Sequence, residues 1–314
     1  MENREMIVNR ILEDTLSLQG NYDIDKIMAI RAEIFKYKKQ QQKDGFTINY
    51  LIEEADLVLR MLLSESMNNS FEDARDIVAP IFEKLDHTEV WSFYNIRILA
   101  MVLSNARNYK KVHKFAEDAL EELEHHDKER LYPGVMRSIY INASFHYLRA
   151  KHGGINNELT TEDDVELDEL FANYTSSAIQ LCKEENRTMS EAVIIIRRGI
   201  YYRDHATAEK GFKMLEEAGR AEAYLLMHDE ATAYGLYPKD KPIPEFAKKA
   251  SAKIKVHIVN ELLDEMSDKQ LEHTIRLIKK VLHEKPTPKK QDDEDKDNGE
   301  NKKDEGEGDS GKDK

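Results

Sequence analysis

Apolar residues along this chain recur every three or four positions, and the intervals between them are rich in charge. In the segment after Asp23, Ile24, Ile27, Met28, Ile30, Ile34, Phe35 and Tyr37 fall at helical spacing. The same period runs through INYLIEEADLVLRMLL after Thr47, through FEDARDIVAPIFEKL after Ser70, and through EAVIIIRRGIYYRDH. Residues 89–123 (EVWSFYNIRILAMVLSNARNYKKVHKFAEDALEEL) read as two amphipathic helices joined by an Asn-containing turn, Asn105 to Asn108. The first carries Trp91, Phe93 and Tyr94, and the second offers small positions at Ala116 and Ala119. Aromatic anchors on one helix facing small residues on the next make the repeating unit of an α-solenoid.

Punctuation supports the same reading. Asp23, Ser70 with Asp73, Thr161 with Asp164, and Thr188 with Glu191 stand where helix N-caps are expected. The segment KHGGINNELTT, 151–161, is the clearest loop, and His152, Gly153 and Gly154 close a long helix that starts near Glu129. About ten helices precede residue 236, with joins short enough for antiparallel hairpins. Their pairs recur at roughly the 35–40 residues of tetratricopeptide-type repeats, without a strict consensus. The expected fold is all-α: a tetratricopeptide-like right-handed superhelix of antiparallel helix pairs, followed by a C-terminal αα-hairpin and a disordered acidic tail.

Composition strengthens this. Residues 1–237 contain only two prolines, Pro80 and Pro133, too few turn signals for a sheet protein. GLYPKDKPIP, 235–244, gathers three of the seven prolines and marks a boundary. Charge divides the chain further. Residues 239–290 hold 13 Lys/Arg against 8 Asp/Glu, whereas residues 291–314 hold 11 acids and 5 lysines with no apolar residue. The last stretch has nothing to bury and is expected to be disordered. The expected domains are 1–237 (helical repeat), 238–285 (basic helical hairpin) and 286–314 (acidic tail).

No signal peptide and no membrane-length apolar run is read, so a soluble, cytoplasmic protein without membrane association is expected. The single cysteine, Cys182, excludes an internal disulfide and reads as a buried packing thiol. There is no phosphate-binding glycine loop, no G-x-S-x-G and no H-E-x-x-H. His146 and His152, six apart, do not share a face and read as surface or capping residues. No catalytic residue, metal site or cofactor is expected, and the chain reads as a binding protein, not an enzyme.

Extended peptides need backbone partners, and Asn supplies both donor and acceptor, while Arg captures carboxylates in a bidentate fork. On that ground Arg97, Asn105, Arg137, Asn142, Arg197 and Arg198 are the candidate peptide-binding residues, with Asn142 foremost. Trp91 is read as a core anchor. Lys248, Lys249, Lys253 and Lys255 in the hairpin form a basic face, either solvated or able to meet an acidic partner or DNA.

Two segments carry a family likeness. Glu89–Leu103, with E-x-W-x-x-Y-x-I-x-I-L-A spacing, resembles the E-W-x-x-Y-E-x-x-L-F element of Rgg/GadR/MutR-type bacterial regulators. GIYYRDHATAEKGFKMLEEAGRAEAYLLMHDE, 199–230, resembles the last repeat of that family. The resemblance covers roughly residues 5–235. It implies a superhelix that binds a short signalling peptide, usually dimerises, and serves transcriptional or quorum-sensing control. Residues 1–45 lack the small-residue turn of a helix-turn-helix, so the chain is expected to be a sensor domain without its own DNA reader. It would act on a protein partner or on a separate DNA-binding protein. The alternatives are a DNA-binding regulator using the C-terminal basic hairpin, and a plain protein–protein scaffold.

Overall fold

The computed structural model describes residues 4–18, 23–68, 71–125, 132–153 and 160–248. The expected basic hairpin (beyond residue 248) and acidic tail lie outside the described residues. The chain divides into two compact units, Met1–Ile258 and Val259–Lys314, and the fold described here is that of the first.

The protein is all-α. Its described helices run in the order α1 (Arg4–Leu16), α2 (Ile24–Lys43), α3 (Tyr50–Asn68), α4 (Phe71–Asp86), α5 (Phe93–Val102), α6 (Tyr109–His125), α7 (Tyr132–Lys151), α8 (Thr161–Glu184), α9 (Thr188–Tyr202), α10 (His205–Glu217) and α11 (Ala221–Ala233). A 3-10 turn, Leu103–Asn105, follows α5. Among the described residues there is no strand, and no helix is long and apolar enough to cross a membrane.

Local chemistry sets the ends of these helices. Asp23 caps α2 by accepting from the Lys26 N–H. Ser92 and Asn95 form a reciprocal capping box at α5, which satisfies two N–H groups that the helix itself cannot. The box at α8 is formed by Thr160 and Asp163, one residue before the expected pair. Thr188 is the first residue of α9, not its cap; Arg187 occupies the cap position and makes no side-chain capping bond. The turn between α5 and α6 begins at Leu103, earlier than expected, and Asn108 accepts from the Lys111 N–H to open α6.

The helices pack in a regular order. Each odd-numbered helix meets the next odd-numbered one: α1 with α3, α3 with α5, α5 with α7, α7 with α9, and α9 with α11. Each even-numbered helix packs against the odd helices on either side of it in sequence. The odd helices therefore form a continuous inner row, and α1 also reaches α5. Periodicity produces this arrangement: α6 buries Tyr109, Val112, Phe115, Ala116, Ala119 and Leu123 at intervals of one helical turn, leaving the opposite face polar.

Trp91 is 6% exposed and lies 6.1 Å from the Phe115 ring, as an anchor of the core. Its indole N–H donates to the Thr88 carbonyl at 3.1 Å. Helices α9 and α10 approach most closely. A β-carbon at Gly199 would lie 2.5–2.7 Å from Ala208 backbone and side-chain atoms, and one at Gly211 would lie 2.6 Å from the Ala192 carbonyl and Ile196. Only glycine allows that separation. Past α11, Tyr237 contacts Phe212, and Phe246 meets Tyr224 edge-on at 5.2 Å. These contacts hold Tyr237 and Phe246 against α10 and α11.

Candidate functional site

The candidate residues all fall on the inner row or in the turn that ends α5. Arg97 on α5 holds Glu13 of α1 through two hydrogen bonds, 2.7 and 3.1 Å. Asn105, 1% exposed, donates its amide to Glu65 of α3 at 2.9 Å. Asn142 on α7 donates to the Ala100 carbonyl of α5 at 2.5 Å. Arg197 on α9 holds Glu230 of α11 at 2.8 and 3.0 Å and lies 4.0 Å over the Phe145 ring of α7. Polar side chains thus bridge each odd helix to another along the row.

Arg137 sits apart from this line. It pairs with Glu185 at the end of α8 and stands near Cys182 and Arg187, and burial draws its pKa down. It fastens α7 to α8. Arg198 is half-buried on α9, and among the described residues it has no hydrogen-bond or ion-pair partner; its charge offsets part of the upward shift of the Tyr202 hydroxyl.

At the centre of the row His146 corrects the sequence reading, and Arg149 is a residue that reading did not name. His146 has no surface or capping role: it is completely buried, and its Nδ1 faces the Ser104 carbonyl at 3.1 Å. Arg149, 1% exposed, donates to the same carbonyl at 2.9 Å. Burial, reinforced by the charges of Arg149 and Arg75, pushes the imidazole down to about 3, against the Ser104 carbonyl that favours its protonated form. The ring is therefore neutral, with its proton on Nδ1. Burial also draws Arg149 down to about 10, which leaves it charged at neutral pH. The signal was present in the sequence. Asn142, Phe145, His146 and Arg149 fall at i, i+3, i+4 and i+7, on one helical face.

Two acceptors in this region lack partners among the described residues: Asn105 Oδ1 and His146 Nε2 are buried and unbonded. Unbonded buried acceptors cost free energy, which the hydrogen bonds and packing around them must offset. Guanidinium, amide and neutral imidazole groups stand beside aromatic rings. Among the described residues no group of three His, Cys, Asp or Glu could hold a metal ion. Cys182 is wholly buried, and burial pushes its thiol up to about 11, away from nucleophile behaviour.

No protein-family model, no curated protein and no solved structure matches the chain.

Proposed function

We propose that this protein is a non-catalytic regulatory binding protein whose inner helical row takes a short signalling peptide. The observation that carries the reading is that Arg97, Asn142, Arg197 and Arg198 stand on α5, α7 and α9, successive helices of the row, with Asn105 in the turn that ends α5. Most of these groups are engaged with neighbouring helices, whereas Arg198 is half-exposed and without a partner among the described residues. Helices in contact lie about 8–10 Å apart, so three of them span roughly 16–20 Å. An extended peptide advances about 3.3 Å per residue, so a ligand of about five or six residues matches that span.

Binding would change how α5, α7, α9 and α11 sit against one another, because their polar bridges cross from helix to helix. That is a population shift that a dimer interface or a protein partner can read. The likeness of Glu89–Leu103 and of residues 199–230 to Rgg/GadR/MutR-type regulators supports the same reading and extends it to transcriptional or quorum-sensing control in the cytoplasm.

The test is a thermal-shift and calorimetric screen of hydrophobic peptides of five to eight residues against wild type and Arg198→Ala. A cognate peptide at 100 times its Kd stabilises the folded chain by about 2.7 kcal/mol. Arg198→Ala should keep the apo melting temperature and weaken binding about tenfold or more. Equal affinity of the two proteins for every stabilising peptide would remove α9 from the site. A screen without a stabilising peptide would favour a plain scaffold.

A further inference from the structure

Helix α2 has two unlike faces. Ile27, Ile30, Ile34, Tyr37 and Gln41 are buried on one, and the helix packs against α1 and α3. The opposite face holds Asp25, Met28, Ala32, Phe35 and Lys39, all exposed. Their spacing alternates between three and four residues, the period of a seam that packs against another helix.

The middle of this seam is apolar. Met28 is 39% and Phe35 68% exposed. Among the described residues they are the only exposed large apolar side chains that share one face of one helix. Phe46 and Tyr50, also exposed, are each covered by a cation, Arg4 and Lys84 respectively. Phe35 has no such cover among the described residues.

The charges of α2 divide in the same way. Those on its flanks are engaged within the chain: Arg31 meets Asp56 at 3.4 Å, Lys38 holds Glu53 at 2.6 Å, and Glu33 pairs with Arg10. Asp25 and Lys39, at the two ends of the seam, have no hydrogen-bond or ion-pair partner among the described residues. Each lies seven residues from Ala32, about 10.5 Å along the helix axis. A second α2, running antiparallel and crossing at Ala32, therefore sets Asp25 level with Lys39 of the partner subunit at both ends at once. Between them, Met28 and Phe35 of the two copies pack side by side. Lys36 falls level with Met28 of the partner subunit and can lay its methylene stem along it. Ala32 carries only a methyl group, which lets the two backbones approach to the short end of the helix-packing range, about 8 Å. The face is thus its own complement, as a two-fold interface requires.

We propose that two copies of this chain associate through α2, antiparallel about a two-fold axis at Ala32. One 20-residue helix per subunit falls short of the roughly 1,200–2,000 Å² that stable interfaces bury, so the dimer is weak and concentration-dependent. None of these residues belongs to the inner row. The interface does not depend on peptide binding, and the two readings can fail separately.

The experiment is sedimentation equilibrium of the full chain over a concentration series, with urea midpoints checking that each variant folds. Wild type should show a reversible monomer–dimer equilibrium. Phe35→Asp, at an exposed position, should weaken it by about tenfold or more. Asp25→Lys alone and Lys39→Asp alone should each weaken it by about tenfold, because each sets like charges together at both ends of the seam. An equimolar mixture of these two variants should associate as tightly as wild type, since opposite charges then meet again at both ends. That recovery requires position 25 of one copy to meet position 39 of the other. A wild-type chain that stays monomeric throughout would overturn the proposal and leave the face to a different protein. A Phe35→Asp protein that dimerises as wild type does would also overturn it, by placing the contact elsewhere on the chain. So would a mixture that associates no more tightly than either variant alone.

Discussion

Arg197 of α9 and Glu230 of α11 form a bidentate ion pair, with hydrogen bonds of 2.8 and 3.0 Å, in which the side chains are only 11% and 10% exposed. Arg97 and Glu13 make the same kind of pair between α5 and α1, but Glu13 is 51% exposed. Identical chemistry in two environments should carry different weight. Removing one member of a buried pair strands a charge and costs about 3–5 kcal/mol. Exposed pairs contribute about 0–1 kcal/mol. Arg197→Met should therefore lower the urea unfolding free energy several times more than Arg97→Met does. Similar losses for the two variants would contradict the burial argument. In the double variant Arg197→Met with Glu230→Leu, part of the loss should be recovered, because no charge is left behind.

His146 gives the fold a built-in acid sensitivity. Its folded value of about 3 lies below the ordinary 6.5, so the folded chain holds the ring neutral and unfolding lets it take a proton. The stability it contributes is complete above pH 6.5 and is lost as pH falls toward about 3. His146→Asn keeps a donor near the Ser104 carbonyl and removes the titration. It should cost about 1–3 kcal/mol at neutral pH, and the gap to wild type should narrow as pH falls through this window. Urea midpoints of both proteins at several pH values measure the gap, and a gap independent of pH would refute the assignment.

Gly199→Ala separates helix propensity from packing. Alanine favours an isolated helix by about 1 kcal/mol over glycine. Here the new methyl group would meet Ala208 backbone atoms within 2.5–2.7 Å. Backbone cannot rotate away as a long side chain can, so α9 and α10 must separate, at about 1–3 kcal/mol net. A melting temperature equal to or above wild type would show that the helices yield more easily than their spacing implies.

Cys182 should be inert in the folded chain. With the thiol raised from 9.0 to about 11, its thiolate population is roughly 100-fold lower than that of an unshifted thiol, before burial limits access. An aromatic disulfide reagent should label it slowly in buffer and rapidly in denaturant, so the labelling rate also reports how often α8 and α9 open. Fast labelling of the native protein would mean that the Ala178, Cys182 and Ile194 cluster is looser than its burial indicates.

The helices could be read from the sequence because their signals are local. Asp23 lies next to the α2 amides that it caps, and the spacing of Val112, Ala116 and Ala119 needs no knowledge of what α6 meets. One-residue shifts, such as Thr160 in place of Thr161, arise where adjacent hydroxyl residues compete for the same N–H groups. The site was less accessible for a different reason. His146 and Arg149 stand near the C-terminal end of α7, where charged residues usually face solvent, and the groups that enclose Arg149 come from distant segments: Ser104, Glu65, Tyr234 and Glu230. Burial of that kind is set by the rotation of α7 against its neighbours. Asn142 likewise gave no local indication that Ala100, 42 residues earlier, would accept its amide hydrogen.

The inner row also has a consequence for how the chain reaches its folded state. Odd helices meet mainly the next odd helix, and even helices meet the neighbours that flank them in sequence. Few contacts must therefore wait for distant parts of the chain to find each other. Such a chain should fold quickly from any adjacent pair that forms first and grow outward in both directions. Helices α9 and α10, interlocked at Gly199 and Gly211, are the natural starting seed, and their backbone amides should be the last to exchange with heavy water.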